Sequence, residues 1–554
     1  MAEHKEIRVA VLCRGYVFDS WEAECIREVQ SLPFVKIVLL VQENYPEKKI
    51  SLSKKIIDYP YRRLKWRVYK RFFLRVPAMK PASIQKELDG IPVVKCTPEL
   101  KGKFSEHFPG EVIAKIKEQR CDVVLRFGFN ILRGEILSAT RYGVWSFHHA
   151  DEQVIRGGPG GFWEIYKGIP ATGAILQRLT EKLDAGIILR KGNFRTIFHS
   201  YRDNLDQLLR GTTSWMKQAL IDAANGVSPA ENGTPVKTNA PVFTYPRNLQ
   251  MRIFRRRLLA GKIRFHFRAL FRAETWTIGY VEQEASSLLE ENPFGNVHWF
   301  PEAGKGKYLA DPFGRINEKK ELVIYAEEYD YAKKKGIICR SEGKTFSPFL
   351  EKKEHLSYPF LVNDNGTDFL VPECFESGKI FCVNAQNATE ERILLGNFPA
   401  VDATPVKWNG RWWIFCTKEG EFSNTELYVF HSENFAGPWQ PHANNPVKTD
   451  ILSARPAGTP FVVNGRLYRP SQVCAPQYGV AVKINEVTKL SPIEFSEIAV
   501  REHAPPAGWK FSKGLHTVSV AGDRTILIDA KRYAFNFDNF RRVLKTKLKR
   551  LFRK

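Results

Sequence analysis

After Thr275 the chain repeats itself. Turn-bounded, β-rich units begin at "DPF" (Asp311), "YPF" (Tyr358), "ATP" (Ala403), "GTP" (Gly458) and "LHT" (Leu515), spaced 47, 45, 55 and 57 residues apart. Each start is followed by a strand-like run: "ELVIYAEE", "DFLVPECF", "RWWIFCTK", "RLYRPSQV" and "RTILIDAK". A unit of this length cannot bury an apolar face alone and must stack on its neighbours, so a sustained period narrows the fold more than composition does. Several short strands per unit, with hairpin turns such as Asn409-Gly410 and Asn464-Gly465, predict an all-β five-bladed propeller over 276–532. A β-sandwich would not recur so regularly.

The first 225 residues follow a different rule, with short apolar strands alternating with helical patterns. "IRVAVLC" reads as a strand, "SWEAECIREVQSL" as a helix and "VKIVLLVQE" as the next strand, while "PGEVIAKIKEQRCDVVLRFG" gives a helix and then a fully buried strand. This is the pattern of a parallel sheet with crossover helices, an α/β Rossmann-like domain. No Gly-x-Gly-x-x-Gly follows the first strand, which argues against a nicotinamide cofactor. At 554 residues one core is not enough. The expected organisation is an α/β domain at 1–245, a basic helical linker at 246–275, the propeller at 276–532 and a basic amphipathic tail at 533–554.

The formal net charge of +24 is concentrated. Segments 54–75, 247–272 and 541–554 hold nine, nine and eight basic residues with a single acid among them, so the rest of the chain is near neutrality. In the tail, Phe540, Leu544, Leu548 and Leu551 recur at helical spacing with Arg542, Lys545, Lys549 and Arg553 between them. In the second segment Ile253, Leu258, Ile263, Phe267 and Leu270 share a face less cleanly, with Gly261 expected to break the helix. Trp66, Tyr69, Phe72 and Phe73 interleave with the charges of the first. Such rings and leucines enter a headgroup boundary while lysine and arginine meet anionic lipid, so an anionic membrane surface is the expected partner. Nucleic acid, which a basic stripe also tracks, and a helix docked on its own protein are the rival readings. The amino terminus shows no long apolar run of signal-peptide type, and nine scattered cysteines show no Cys-x-x-Cys pair. The expectation is a cytoplasmic protein with reduced thiols and no metal, peripheral on the inner face of a membrane.

Residues 146–163, "SFHHADEQVIRGGPGGFW", set two histidines ahead of an acidic pair and a glycine-rich turn. They follow "CDVVLRFG", which places the histidines at the carboxyl end of a strand, where open α/β sheets carry their sites. The order "SFH" at 146–148, Arg156-Gly157, Trp163, "KGIPATG" at 167–173 and "LDAGIIL" at 183–189 resembles the formyltetrahydrofolate-dependent formyltransferase family, which includes methionyl-tRNA and sugar N-formyltransferases. The resemblance implies an α/β Rossmann-like formyltransferase domain that takes 10-formyltetrahydrofolate as formyl donor. It also implies His148 as the acid/base or positioning imidazole, Asp184 as the carboxylate that orients it, and Phe127, Gly128, Arg156 and Gly157 on the cofactor and acceptor side.

Formyl transfer to an amine passes through a tetrahedral intermediate, which needs a group for the amine proton and a donor for the oxyanion. The family's asparagine, its oxyanion donor, is Ser146 here. Losing one such donor costs about 2.7 to 4 kcal/mol of transition-state stabilisation. Either a neighbour such as His149 or Asn130 compensates, or the domain has changed its reaction. The family's Ser-Leu-Leu-Pro loop is likewise replaced, by "ADEQV" at 150–154.

In the repeats, "LADPF", "VDATPVKWNGRWWIFCT" and "ARPAGTPFVVNGRLYRPSQVCAPQYG" resemble the propeller domain at the amino end of plant glucosamine inositolphosphorylceramide transferase, and more remotely the five-bladed arabinanase and fructosidase hydrolases. That resemblance implies a central glycan site with Asp311, Glu373, Asp402, Arg455, Arg469 and His516 as candidates. Carboxylates from successive blades would serve hydrolysis, whereas Arg455, Arg469 and His516 suit sugar or phosphate recognition. Together the parts imply formylation of an amino group on a sugar nucleotide or lipid-linked sugar, in cell-surface glycan biosynthesis of the lipopolysaccharide kind. The alternative is an altered formyltransferase-like domain joined to a propeller that binds or hydrolyses a glycan. A methionyl-tRNA role fits poorly, since the carboxyl half is not the small barrel of those enzymes.

Overall fold

The computed structural model describes residues 5–45, 61–102, 105–182, 185–537, 540, 541 and 544. Asp184, residues 54–60 and most of the basic tail, including Leu548, Leu551 and every residue after 544, lie outside the described residues. The chain divides into two compact units, Met1–Lys262 and Ile263–Lys554. It passes from one to the other within the helix Asn248–Phe271.

The first unit is built on a seven-stranded sheet. In spatial order the strands are Val93–Cys96, Val35–Glu43, Ile7–Cys13, Val123–Arg126, Val144–His148, Ala171–Arg178 and Ile187–Arg195. The first five run parallel, Ala171–Arg178 runs antiparallel to them, and Ile187–Arg195 runs antiparallel to Ala171–Arg178. The sheet is therefore mixed, where the sequence pattern predicts a parallel one. Strands covered on both faces are apolar throughout, and six of the seven residues of Ile7–Cys13 are buried. Helix Gly110–Glu118 turns Val112, Ile113 and Ile116 onto Leu12, Val41 and Val124. Each such side chain contributes about 1.5–3 kcal/mol on full burial. Because the chain winds outward in both directions from Ile7–Cys13, a crevice opens beyond the carboxyl ends of Ile7–Cys13 and Val123–Arg126, the topological switch point.

Helix Asn248–Phe271 runs unbroken through Gly261, contrary to the break expected there. Gly261 serves close packing instead, because a Cβ at this position would lie 2.4 Å from the Phe198 carbonyl oxygen. The buried face is Met251 and Phe254, packed with Phe162, Tyr201 and Trp66, while Ile263 and Phe267 of the expected face are exposed. The helix ends where strand Arg272–Val281 begins, so the last residues of the expected linker are sheet.

The second unit consists of five antiparallel sheets taken in chain order, each with four strands on its main path. Four of them start with strands Lys307–Ile316, Ser357–Asp364, Ala400–Trp408 and Phe461–Val463. The remaining sheet joins the two ends of the unit, pairing Arg272–Val281 with Ile526–Phe535 from Arg272↔Phe535 to Val281↔Ile526. This pairing carries sheet three residues past the expected end of the domain at 532. Strands Arg411–Lys418 and Arg466–Val473 coincide with the quoted runs.

The repeated "DPF", "YPF" and "DATP" starts each hold a bulge. Register slips between Ala310 and Phe313, between Ser357 and Phe360, and between Val401 and Thr404. Asp311, Tyr358 and Asp402 take φ values of 51°, 42° and 52°. A left-handed non-glycine residue is strained and re-aims its side chain. Gly458, with φ 121°, holds the matching place ahead of Phe461–Val463. All nine cysteines are free and buried, and no helix among the described residues is long and apolar enough to cross a membrane.

Candidate functional site

Strand Val144–His148 ends at the sheet's carboxyl edge, and the two-residue strand period puts Ser146 and His148 on one face and Phe147 on the other. On the first face lies a cleft of about 180 Å³, lined in part by Arg126, Asn130, Ser146, His148, Gln177 and Lys182. His148 Nε2 is enclosed there without a hydrogen-bond partner among the described residues. A second cleft of about 160 Å³ sits at the switch point, sharing Arg126, Ser146 and Phe147 with the first and walled further by Trp21, Phe127, Gly128 and His149, with Arg14 and Glu22 beside them.

Arg126 lines both clefts. It is the last residue of Val123–Arg126, whose other three residues are buried apolar. Its Nη1 donates to Ser146 Oγ at 2.8 Å, and its Nη2 donates to the carbonyls of Phe129 (2.8 Å) and Asn130 (2.6 Å), leaving Nε without a partner among the described residues. Burial pulls the guanidinium below its usual pKa, opposed by Glu106 and Glu43. A guanidinium stays charged in any such setting. Composition and motif order pass over this residue. The signal was one charged residue closing an otherwise apolar strand.

The two neighbours expected to compensate for Ser146 are otherwise engaged. Asn130 gives its backbone N–H and its carboxamide to Glu106 at 2.7 and 2.5 Å. His149 faces the second cleft, 5.1 Å from the Trp21 ring, with Nε2 3.4 Å from Thr212 Oγ1. Burial, with a smaller push from His148, lowers its pKa to about 3, so it is a neutral wall. Glu22 accepts the Asp19 N–H at 3.0 Å, and burial raises its pKa to about 7.

Of the four residues expected on the cofactor side, Phe127 and Gly128 line the second cleft. Arg156 and Gly157 line neither. Arg156 Nε donates to the Ala240 carbonyl at 2.7 Å, and Gly157 lies against Val242–Phe243 so closely that a Cβ would meet Phe243 O at 2.1 Å. Their role is to pin the glycine-rich turn. The second cleft offers aromatic walls to a flat ring system, and Arg126 Nε and His148 Nε2 are polar atoms without partners among the described residues.

The second unit carries its own cavity of about 320 Å³. Asp311, Glu373, Arg455 and His516 line it, together with Glu327 and tyrosines that the motif reading did not single out. Arg455 holds Asp402 through Nε at 2.6 Å and Nη2 at 3.2 Å, and its Nη2 is 3.8 Å from Glu373. Asp402 also accepts from Gln472 Nε2 at 2.9 Å. Arg469 is not brought to the cavity. It is fully buried elsewhere, bonded to Glu497 at 2.9 and 2.6 Å and to the carbonyls of Ser453 and Ala454.

The bulges tie the sheets together. Asp311 N donates to Asp529 Oδ2 (3.2 Å), Tyr358 N to Asp311 Oδ2 (3.3 Å), Asp402 N to Glu373 Oε2 (3.1 Å), and Gly458 N to Tyr358 Oη (2.8 Å). His516 Nδ1 lies 2.5 Å from Asp529 Oδ2, and its Nε2 lies 3.6 Å from Asp311. Burial opposes the imidazolium, but Asp529 and Asp311 outweigh it and raise the His516 pKa. Burial raises Asp311 to about 6 against the pull of His516. Among the described residues Asp311, His516 and Asp529 are the group whose ligand atoms, all within 4.8 Å of one another, a metal ion would bridge. Both carboxylates already accept hydrogen bonds from the protein. Asp529 Oδ1 accepts from His516 N and Thr517 N, and Asp311 Oδ1 accepts the Thr517 hydroxyl.

Two classes of relative match these two units. Residues 278–532 match the family model described as glucosamine inositolphosphorylceramide transferase 1, N-terminal, while the amino-terminal region is similar to methionyl-tRNA formyltransferases. In particular, glucosamine inositolphosphorylceramide transferase 1 of Oryza sativa subsp. japonica is 32% identical over 209 residues, 35% of this chain and 28% of that protein. Methionyl-tRNA formyltransferase of Prochlorococcus marinus (strain MIT 9515) is 29% identical over 189 residues, 34% of this chain and 48% of that protein. The chain thus spans less than half the length of each. Among solved structures, a sugar 3N-formyl transferase determined with dTDP and 5-N-formyl-THF superposes with a TM-score of 0.26 at 14% identity, covering 43% of this chain and 69% of that one. An exo-β-1,3-galactanase from Clostridium thermocellum gives a TM-score of 0.29 at 11% identity, covering 42% and 63%.

Proposed function

We propose that the first unit transfers a formyl group from 10-formyltetrahydrofolate to an amino group of a sugar nucleotide or lipid-linked sugar, and that the second unit is a five-bladed propeller that holds a glycan. The observation that carries the first part is the placement of Arg126, Ser146 and His148 on one cleft, with His148 Nε2 unpartnered among the described residues. Trp21, Phe127 and Phe147 would flank the folate ring system, and the formyl carbon is what that donor supplies when bound. His148 takes the proton from the attacking amine, and Arg126, backed by Ser146, holds the oxygen that becomes negative. Asp184 is proposed to orient His148. The test is tetrahydrofolate release from the full-length protein with a panel of amino-sugar nucleotides. Release that depends on the sugar and vanishes in His148→Ala supports the reading, and release that survives in His148→Ala contradicts it.

The propeller reading is supported by five consecutive four-stranded sheets, the end-to-end pairing of Arg272–Val281 with Ile526–Phe535, and bulges repeated at one place in successive sheets. A second reading, glycan hydrolysis by this unit, is favoured by the upward-shifted carboxyls of Asp311 and Glu373 in one cavity. Glycan cleavage abolished by Glu373→Gln and indifferent to His148 would select it.

Peripheral attachment to an anionic membrane is proposed for the basic segments. Phe72 and Phe73 are exposed beside Leu64–Phe72, and Leu259, Ile263, Phe265 and Phe267 are exposed among Arg255, Lys262 and Arg264. Co-sedimentation with phosphatidylserine vesicles, absent with neutral ones and weakened by salt, is the expected result. Equal binding to neutral vesicles would contradict it.

A further inference from the structure

The cavity of the second unit has a charge imbalance. Three of the cations around it are committed: Arg455 to Asp402 at 2.6 Å, His516 to Asp529 at 2.5 Å, and Lys531 to Glu274 at 3.2 Å. Three carboxylates remain: Asp311, which accepts the Tyr358 N–H and the Thr517 hydroxyl, and the less satisfied Glu373 and Glu327. Glu373 accepts one backbone N–H, from Asp402, and reaches Arg455 only at 3.8 Å. Glu327 is 5% exposed and accepts no hydrogen bond from any described residue. Its nearest basic atom is His355 Nε2 at 3.7 Å. His355 is itself held neutral, since burial lowers its pKa and its Nδ1 accepts the Gly336 N–H at 2.8 Å. A buried carboxylate left this way is unfavourable until a cation or a proton reaches it.

The rest of the lining is aromatic. Trp276, Tyr308, Tyr329, Tyr331 and Tyr478 face the same space. Aromatic faces attract a cation electrostatically and offer flat apolar surfaces to the C–H face of a pyranose. They do not ligate a metal ion. The volume, about 320 Å³, is at the lower end of small-molecule sites and suits one or two sugar rings.

We propose that this cavity binds a saccharide through a protonated primary amine, with the ammonium seated at the Glu327 and Glu373 carboxylates and the sugar ring against the surrounding aromatics. Burial, with neighbouring carboxylates adding to it, drives both glutamates well above their usual pKa. A bound ammonium reverses that shift by supplying the missing charge. The inference rests on the reading of this unit as a saccharide-binding module and gives it a selectivity. The free amine is retained, and the neutral amide made by acylating it is not. The second unit would therefore hold the class of molecule that the first unit's proposed reaction consumes, and lose its grip on the product.

The experiment is calorimetry on the full-length protein at neutral pH with D-glucosamine, D-glucose, N-acetyl-D-glucosamine and calcium chloride alone. The expected result is saturable glucosamine binding at least tenfold tighter than either neutral sugar, weakened at least tenfold by Glu327→Gln and left unchanged by Glu318→Gln on an exposed turn. Equal affinity for glucose and glucosamine would overturn the amine claim while leaving saccharide binding in place. Calcium binding that excludes glucosamine would overturn it in favour of a metal site, and absence of binding by any sugar would overturn both readings. If Glu327→Gln does not fold, the ligand series on the unaltered protein decides. Formyl transfer by the first unit, read from tetrahydrofolate release, is independent of each of these outcomes.

Discussion

Arg126 Nη1 donates a hydrogen bond to Ser146 Oγ at 2.8 Å. A serine hydroxyl reaches less far than a carboxamide, and here a guanidinium from the adjacent strand covers the gap. Val123–Arg126 pairs parallel with Val144–His148 through Val124↔Val144 and Leu125↔Trp145, so the ends of the two strands are neighbours. A fixed positive charge in a cleft that excludes water stabilises a developing oxyanion more strongly than a neutral donor.

Removing that charge is expected to reduce the rate of transfer. Arg126→Ala should lower kcat about 10²- to 10³-fold, the usual cost of one oxyanion donor. Arg126→Lys should recover only part, because an ammonium lacks the planar fork that reaches Ser146 and two carbonyls together. Pre-steady-state release of tetrahydrofolate measures this. An unchanged kcat in Arg126→Ala would remove Arg126 from the reaction.

His149 sets a pH dependence of stability. Its pKa is about 3 in the folded protein and about 6.5 in an unfolded chain. The unfolded chain therefore binds a proton as pH falls through 6.5 and the folded one does not until about 3, so the stability is full above 6.5 and declines below it. Thermal melts of the full-length protein between pH 7.5 and about pH 5 should show the first transition falling, and His149→Phe should flatten that fall. Identical profiles for the two proteins would show that His149 is accessible and titrates normally.

Arg469 is expected to matter for folding and not for the glycan. Burial pushes the Glu497 carboxyl up, but Arg469 and Lys448 outweigh it and hold it at about 2. Arg469→Met leaves a buried carboxylate short of its main partner and should cost about 3–5 kcal/mol. Denaturant unfolding measures the loss. The residual folded protein should bind sugar with unchanged affinity, and selective loss of sugar binding at normal stability would place Arg469 in the site after all.

Gly458 tests the junction between sheets. With φ at 121° and Val518 O at 1.8 Å from the site of a Cβ, no side chain fits. Gly458→Ala should unfold the second unit or lower its melting transition sharply, while Gly465→Ala, at a turn with open space around it, should cost far less. Comparable melts for the two variants would refute the close packing.

Much of this was legible in the chain. The starts at Asp311 and Tyr358 fall on the bulges themselves and Gly458 on the matching positive-φ place, because a repeated left-handed position demands a repeated local sequence. Ala403 follows Asp402 by one residue for the same reason. Ser146 and His148 share a face because strands alternate. What escaped reading depends on partners far apart in sequence. Arg469 reads like Arg455 until Glu497 is seen beside it, and Arg126 reads as a strand-end charge until the next strand brings Ser146 to it. Glu327 carries no signal of its own within "ELVIYAEE", and only the packed fold encloses it. Gly261 carries a helix-breaking signal that packing against Phe198 overrides.

The central claim is formyl transfer by the cleft of Arg126, Ser146 and His148, and the most direct measurement follows the carbon. The full-length protein is given 10-formyltetrahydrofolate labelled with carbon-13 in the formyl group, together with amino-sugar nucleotides, and the product is read by NMR. The account predicts a labelled formamide on the sugar nitrogen with the unaltered protein, slowed by Arg126→Ala and absent with His148→Ala. Label that stays on the folate with every amino sugar, or reaches the sugar equally well without His148, would contradict it.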